Sequence, residues 1–166
     1  QVFLMTCRFD LGWQLYESRH LIRENADKKQ YQDFSQIAFS LKEKLLIHKE
    51  QGIGDQILYG SMLNELRNFP QKKIISVTKK LIPLFQRSFP DYQIVDKKEV
   101  LSDELYDEHV PIGSIGKFLR EDVDSFKKAT YPYLVNNLSQ TQQIKLLPQF
   151  KGKKYVGLLG AVLIKR

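Results

Sequence analysis

The feature that most constrains the fold is an alternation, beginning near residue 45, of short apolar runs with segments of helical periodicity. Four runs have strand length and are rich in β-branched or aromatic residues: 45–48, 73–78, 92–95 and 106–112. Two segments between them, 56–69 and 80–89, repeat apolar residues every three or four positions, and a proline follows each. Strands separated by helices form parallel sheets through right-handed crossovers. The sequence therefore predicts an α/β fold: a Rossmann-like, mainly parallel sheet with helices on both faces.

The chain divides into four segments by composition. We expect a helical tail, a polar linker, the Rossmann-like unit and a short final segment, at 1–23, 24–44, 45–152 and 153–166. In the first of these, Phe9, Trp13 and Tyr16 lie at helical spacing and predict an aromatic helix face. Because the chain begins with apolar residues and no methionine, the surface that packs on this face is expected to lie upstream.

Composition excludes several classes of protein. The chain has 166 residues, 42% of them hydrophobic and 27% charged, which is typical of one globular domain. A single cysteine, Cys7, excludes an internal disulfide and is expected to be a small buried residue. The three histidines lack ligand spacing, so neither a metal nor a cofactor is predicted. No apolar run reaches the roughly 18 residues of a membrane span, and the predicted location is the cytoplasm.

The positive charge is distributed along the whole chain. The net charge is +7, and 19 of the 26 basic residues are lysines. Many of these lysines occur as adjacent pairs: 28–29, 72–73, 79–80, 97–98, 127–128 and 153–154. A nucleic-acid-binding protein more often clusters arginines and aromatic residues on one stripe. The pattern therefore indicates a solvated lysine-rich surface and no nucleic-acid partner.

Two loops are candidates for ligand binding, because parallel sheets bind ligands at the carboxyl ends of their strands. They are 50–55 and 113–116. In the first, Gly52 and Gly54 let backbone amides approach a ligand at a helix N-terminus. The dinucleotide fingerprint is incomplete, since Ile57 occupies the place of its third glycine, and no Gly-Lys-Ser/Thr follows for a nucleotide phosphate.

Asp55 begins the helix after the first loop, and two interpretations of it stay open. The carboxylate can satisfy free N–H groups at the helix start, a contribution of about 0.5–2 kcal/mol. It can also take a proton from a substrate hydroxyl. Similarly, Gly113 and Ser114 can hydrogen-bond a ligand or simply turn the chain after the fourth strand.

Three stretches carry a resemblance to a known family. The stretch Leu45 to Tyr59 resembles the E-Q-G-hydrophobic-G-D signature of heptosyltransferase-like glycosyltransferases fused to tetratricopeptide repeats. Upstream, Gly12 to Arg19 resembles the G-W-x-x-Y-E-x-R helix that follows the last repeat in those proteins, and 106–114 resembles a later strand and loop. The resemblance covers about Phe9 to Gly157 and includes the ADP-heptose:lipopolysaccharide heptosyltransferases.

The resemblance implies the acceptor-binding half of an inverting, metal-independent GT-B glycosyltransferase. It implies that Asp55 is the catalytic base, and from the position of the two loops we expect the acceptor site to involve Gln51, Gly52, Gly54, Gly113 and Ser114. The implied partners are a nucleotide-sugar donor, an acceptor hydroxyl on a glycan, lipid or protein, and upstream tetratricopeptide repeats. The run 153–158 matches the start of the donor domain but then departs from the family pattern, so this chain alone is expected to be inactive. The alternative is a non-catalytic Rossmann-like module that holds a protein or glycan partner on a repeat scaffold.

Overall fold

The computed structural model describes residues 2–19, 40–50, 52–96, 105–129, 132–137 and 139, and the backbone of 154–158 and 161–165. The α-helices are α1 (Val2–Met5), α2 (Phe9–Glu17), α3 (Ile53–Gly60), α4 (Ile82–Ser88) and α5 (Gly116–Leu119). The strands are β1 (Lys44–His48), β2 (Lys72–Val77), β3 (Gln93–Asp96), β4 (Glu108–Pro111), β5 (Lys154–Leu158) and β6 (Ala161–Lys165). Short 3₁₀ helices lie at Leu63–Asn68, Lys79–Leu81, Ile112–Ile115 and Asp124–Lys128.

The central sheet has the strand order β3-β2-β1-β4, and all of its pairings are parallel. With helices around it, this sheet confirms the predicted Rossmann-like α/β fold. The chain adds β2 and β3 on one side of β1 and then returns to place β4 on the other side. In such sheets a crevice opens at the carboxyl ends of the two strands where the order reverses. Here those strands are β1 and β4.

Both faces of the sheet are apolar, as the continuous hydrophobic strand runs require. On one face, alternate strand residues such as Ile47 and Ile75 pack in a core with Phe85 and Phe89, and all four are fully buried. Complete burial of a large apolar side chain stabilises a fold by roughly 1.5–3 kcal/mol. On the other face a second cluster is described: Leu46, Ile74 and Val95 with Leu105 and Tyr106.

Two predicted helices are each divided in the structure. The segment 56–69 contains the end of α3 and then a 3₁₀ helix, because Ser61 Oγ donates to Leu58 O at 2.7 Å and competes with helical continuation. The N-terminal segment forms α1 and α2 with a turn between them, in which Cys7 adopts a φ of 58°. Cys7 is exposed at this turn, so its predicted burial is wrong.

The remaining segments are described in part. Residues 20–39, which include most of the predicted linker and the end of the predicted helical tail, lie outside the described residues. Strands β5 and β6 pair antiparallel in a separate two-stranded sheet, with Lys154 beside Lys165. That 153–158 begins a donor domain stays a prediction. Within the described ranges, no helix combines the length and the apolar character needed to cross a membrane.

Candidate functional site

The two loops singled out in the sequence meet at the reversal point of the sheet. Glu50 follows β1, and Gly113 follows β4. Glu50 Oε2 accepts a hydrogen bond from the Gly113 backbone N–H at 2.8 Å. A Cβ at position 113 would lie 2.7 Å from the same oxygen, so the close approach requires glycine.

Arg19, just after α2, contacts both of these loops. Its guanidinium contacts the Glu50 carboxylate twice, with Nε–Oε1 at 2.7 Å and Nη2–Oε2 at 3.0 Å. The two side chains are only 13% and 9% exposed. Burial alone would lower the pKa of Arg19, but its hydrogen bonds to Glu50 and Glu17 and their charges outweigh burial and raise it. A paired, bidentate and largely buried contact of this kind fixes the geometry of both partners.

Glu17 and Ser114 extend these contacts into a network, here called the ion-pair network, that consists of Arg19, Glu50, Glu17 and Ser114. Ser114 Oγ accepts from Arg19 Nη2 at 2.8 Å and donates to Glu17 Oε2 at 3.0 Å. Glu17 also pairs with Arg19 at 2.9 Å. The polar groups of the second loop are therefore occupied by residues of this chain. That Gly113 and Ser114 contact a substrate stays a prediction.

The aromatic face of α2 packs on the α/β unit. Trp13 Nε1 donates to Arg120 O at 2.6 Å, and a Cβ added to Gly116 would lie 2.3 Å from the Trp13 ring. Tyr16 lies against Gly113, where a Cβ would be 3.2 Å from its ring. The expectation that this face packs on an upstream surface is therefore corrected: Trp13 and Tyr16 pack against residues 113–120 of the same chain. Small residues at these positions let the rings approach the backbone.

Asp55 lies in the first turn of α3 and is half-buried. Its Oδ2 accepts a hydrogen bond from the Gly52 N–H at 3.0 Å, which is the helix-start contact expected of a capping carboxylate. Gly54 lies in the same helical turn, and Gln51 lies outside the described residues. Among the described residues, Gly52 supplies the one hydrogen bond to this carboxylate.

Gln56 holds the start of α3 against the end of β2. Its Nε2 donates to Gly52 O at 3.1 Å and to Thr78 Oγ1 at 2.9 Å, and its Oε1 accepts from the Thr78 N–H at 2.8 Å. Lys49 Nζ also donates to Thr78 Oγ1 at 3.0 Å. Gln56 is 1% exposed. These contacts connect the ends of β1 and β2 to the turn that carries Asp55, and sequence reasoning did not identify them.

A pair of tyrosines lies between the ion-pair network and Asp55. Tyr59 OH donates to Tyr16 OH at 2.7 Å, and the Arg19 guanidinium lies 4.0 Å from the centre of the Tyr16 ring. Burial raises the pKa of both tyrosines, and the negative charge of Asp55 adds to the increase. Both phenols are therefore protonated hydrogen-bond donors at neutral pH. Each tyrosine belongs to one of the first two stretches that resemble the family, and this resemblance is the sequence feature that could have identified the pair.

Two further geometric findings bear on the chemistry of this region. In the described part of the chain, no three His, Cys, Asp or Glu residues are grouped so that they could hold a metal ion. A cavity of about 550 Å³ lies at the opposite, amino edge of the sheet and does not include Asp55. The polar groups at the carboxyl ends of the strands and this cavity are thus on opposite edges of the same sheet.

Comparison with known proteins gives one distant relative. No model of a known protein family matches the chain. Protein FlbA of Caulobacter vibrioides is 26% identical over 145 residues, which cover 76% of this chain and 24% of FlbA. The chain therefore spans about a quarter of the length of the curated relative it matches. No solved structure matches significantly.

Proposed function

We propose that this chain is the acceptor-binding half of an inverting, metal-independent glycosyltransferase in which Asp55 is the general base. The observation that carries the proposal is the placement of Asp55. Its carboxylate lies after the carboxyl end of β1, beside the reversal point of a parallel sheet, where ligands of such sheets bind. One oxygen is held by Gly52 N–H, and the group remains half-exposed, so an incoming hydroxyl has access to it.

The proposed reaction uses that carboxylate as a proton acceptor. The acceptor hydroxyl transfers its proton to Asp55 while its oxygen forms a bond to the anomeric carbon of a nucleotide-sugar. The bond between that carbon and the nucleoside diphosphate breaks, and the diphosphate leaves with the bonding electron pair. The configuration at the carbon inverts because the attack comes from the face opposite the leaving group. A second domain would hold the donor.

The ion-pair network has a positioning role in this proposal. Arg19 joins Glu50 after β1 to Ser114 after β4, so both strand ends keep one relative position. The Gln56 contacts fix the turn before Asp55 in the same way. Catalysis by a general base depends on such fixed geometry, because the base must lie within hydrogen-bond distance of the reacting hydroxyl.

The test is Asp55→Asn in the protein expressed from its own gene. Release of nucleoside diphosphate from UDP-, ADP- and GDP-linked sugars is measured with and without the substitution. We expect kcat to fall by at least about 100-fold, because asparagine cannot accept the proton. The free energy of unfolding should change by less than about 1 kcal/mol, since the asparagine oxygen can still accept from Gly52 N–H.

Asp91→Asn is the matched control, since Asp91 is an exposed aspartate at the other edge of the sheet. It should leave kcat unchanged. A near-normal rate in Asp55→Asn would show that Asp55 is not the base. A large loss of stability in that variant would show that its role is structural.

A non-catalytic binding module is the second candidate, and one observation favours it. Glu50, Gly113 N–H and Ser114 Oγ all have partners inside the chain, so the strand ends offer fewer free polar groups to a substrate. In that case the wild-type protein releases no nucleoside diphosphate from any of the sugar nucleotides, and Asp55→Asn changes nothing in the assay.

A further inference from the structure

The cavity at the amino edge of the sheet, here called the amino-edge cavity, has the size of a small-molecule site. Its volume of about 550 Å³ falls within the range of roughly 300–1,000 Å³ that ligand sites occupy. Its walls come from the amino ends of β1, β2 and β3, from the 3₁₀ helix before β2, and from Leu105. It lies away from Asp55, so an inference about it does not depend on the proposed glycosyltransferase activity.

The charged groups that line this cavity are mostly cationic. Lys44, Lys72, Lys73 and Arg67 all border it, and Asp91 is the one carboxylate among its lining residues. Asp91 already pairs with Arg67 at 2.9 Å. The three lysines are therefore left without a carboxylate among the residues that line the cavity.

The strand register places two of these lysines side by side. Lys44 of β1 lies directly beside Lys72 of β2, whereas Lys73 is paired with Leu45 and starts from the opposite face of the strand, and all three line the cavity. Neighbouring strands are about 4.7–4.9 Å apart, and like charges placed side by side across strands destabilise a sheet. A ligand that brings negative charge would remove this repulsion.

Lys73 is the least expected of the three. It is 6% exposed, and its Nζ donates to the carbonyl oxygen of Phe69. Burial lowers the pKa of this lysine, so keeping its charge costs folding free energy. An apolar side chain of similar length would remove that cost but would leave Phe69 O without this donor.

The rest of the lining indicates an organic anion. Tyr92, Ile74 and Leu105 supply apolar wall, and Gln71 and Gln93 supply amides. We propose that the amino-edge cavity binds a phosphate-bearing small molecule, with the phosphate at Lys72 and Lys73 and the organic part against the apolar wall. Lysine ammonium groups bind phosphate as point charges, and apolar wall adds affinity for the rest of the ligand.

Isothermal titration calorimetry tests this proposal on the protein expressed from its own gene. The probes are inorganic phosphate, adenosine monophosphate and adenosine. We expect saturable binding of adenosine monophosphate and no comparable binding of adenosine. Lys73→Met should weaken the binding at least tenfold, and Lys72→Met, at an exposed position where folding is not at risk, should weaken it at least threefold.

Two controls decide whether the cavity is responsible. Lys80→Met removes the same charge from an exposed lysine that does not line the cavity, and it should leave the affinity unchanged. Asp55→Asn should also leave it unchanged, so loss of glycosyltransferase activity and loss of this site are separable. The proposal is overturned if none of the probes binds saturably, if adenosine binds as tightly as its monophosphate, or if Lys80→Met weakens binding as much as Lys73→Met.

Discussion

The charged side chains are arranged differently at the two edges of the central sheet. At the carboxyl edge, Arg19, Glu50 and Glu17 form a compact ion-pair network that is largely withdrawn from solvent. At the amino edge, Lys44, Lys72 and Lys73 converge on an open cavity whose one lining carboxylate already has an arginine partner. The chain therefore pairs its own charges at the carboxyl edge, while the charged groups that line the cavity at the amino edge are mostly cationic.

The two arrangements differ in what the charged side chains contact. Opposite charges at the carboxyl edge attach a segment of the same chain, the helix α2, across the crevice between β1 and β4. At the amino edge Lys73 donates to the carbonyl oxygen of Phe69, but no carboxylate among the residues that line the cavity is left to pair with the three lysines, and the proposed anion would supply that negative charge. Each of the predictions below tests one side of this comparison.

The largest expected effect is from Glu50→Gln at the carboxyl edge. The substitution leaves the buried Arg19 charge without its bidentate partner, and removing one member of a buried pair typically costs about 3–5 kcal/mol. Urea denaturation measures the free energy of unfolding. Asp91→Asn is the matched change at the amino edge, where the Arg67–Asp91 pair is 43% and 57% exposed, and it should cost less than about 1 kcal/mol. Equal costs at the two positions would contradict the comparison.

The next effect is a loss of stability at high pH to which both edges contribute. Burial raises the pKa of Tyr92 to about 12, and it also raises the pKa of Tyr16 and Tyr59. Because the folded state holds these protons more tightly than the unfolded state, the stabilisation is complete below pH 10 and decreases above it, and the part that Tyr92 contributes is lost as pH rises toward 12. Two pH units correspond to about 2–3 kcal/mol for Tyr92.

The variant Tyr92→Phe separates the amino edge from the carboxyl edge in this titration. It should lose about 1 kcal/mol at pH 8, because the hydrogen bond from Tyr92 OH to Leu63 O is removed. Its stability should then fall less steeply than that of the wild type between pH 10 and 12. Parallel curves for the two proteins would show that Tyr92 does not contribute to the alkaline loss.

The sequence was sufficient to predict the parallel sheet and to place both candidate loops at the carboxyl ends of its strands. The apolar runs have the length of strands, and the helical periods between them require crossovers, so parallel order and aligned carboxyl ends follow. The proximity of Glu50 and Gly113 also requires β4 to lie beside β1, and the local pattern does not predict that strand order. Likewise, the attachment of α2 depends on contacts between residues far apart in the chain, such as Trp13 with Arg120, and local periodicity does not identify such partners.

The lysine pairs show where local pattern misleads. Composition indicates that Lys72 and Lys73 are solvated alike, yet Lys72 is exposed while Lys73 is buried. Alternate residues of a strand point to opposite faces, and the face that holds Lys73 is the one packed by the helices. A pair of charged residues at the start of a strand therefore places one charge inside, which the charge count alone does not show. The prediction for Cys7 is wrong in the opposite sense, because its residue type favours burial while the turn between α1 and α2 exposes it.

A smaller effect is expected from Gly116→Ala, which tests how tightly α2 is attached at the carboxyl edge. The added Cβ would lie 2.3 Å from the Trp13 ring, so the indole or the backbone must move. Overpacking of this kind costs about 1–3 kcal/mol, measured by urea denaturation. Gly52→Ala is the control, since the nearest group to its added Cβ is Asp55 Oδ2 at 3.6 Å, an ordinary contact. Fluorescence of Trp13, the one tryptophan in the chain, reports whether the indole moves in the first variant and stays in place in the second.

The smallest effect on stability is expected from Lys73→Met at the amino edge. Burial lowers the pKa of Lys73 below its ordinary value of 10.5, so the folded state binds this proton less tightly than the unfolded state. The cost of the charge is therefore present at neutral pH and disappears as pH rises to 10.5 and beyond. Methionine removes the cost but leaves Phe69 O without the lysine donor, and the two changes should offset to within about 1 kcal/mol at pH 7. The wild type and the variant contain the same tyrosines, so the difference between their free energies of unfolding reports on Lys73 alone. We expect the stability of the wild type to rise relative to that of the variant as pH approaches 10.5. If Lys73→Met instead destabilises the protein by as much as Glu50→Gln, Lys73 stabilises the fold at the amino edge as strongly as the ion-pair network does at the carboxyl edge. That result would contradict the contrast between the two edges.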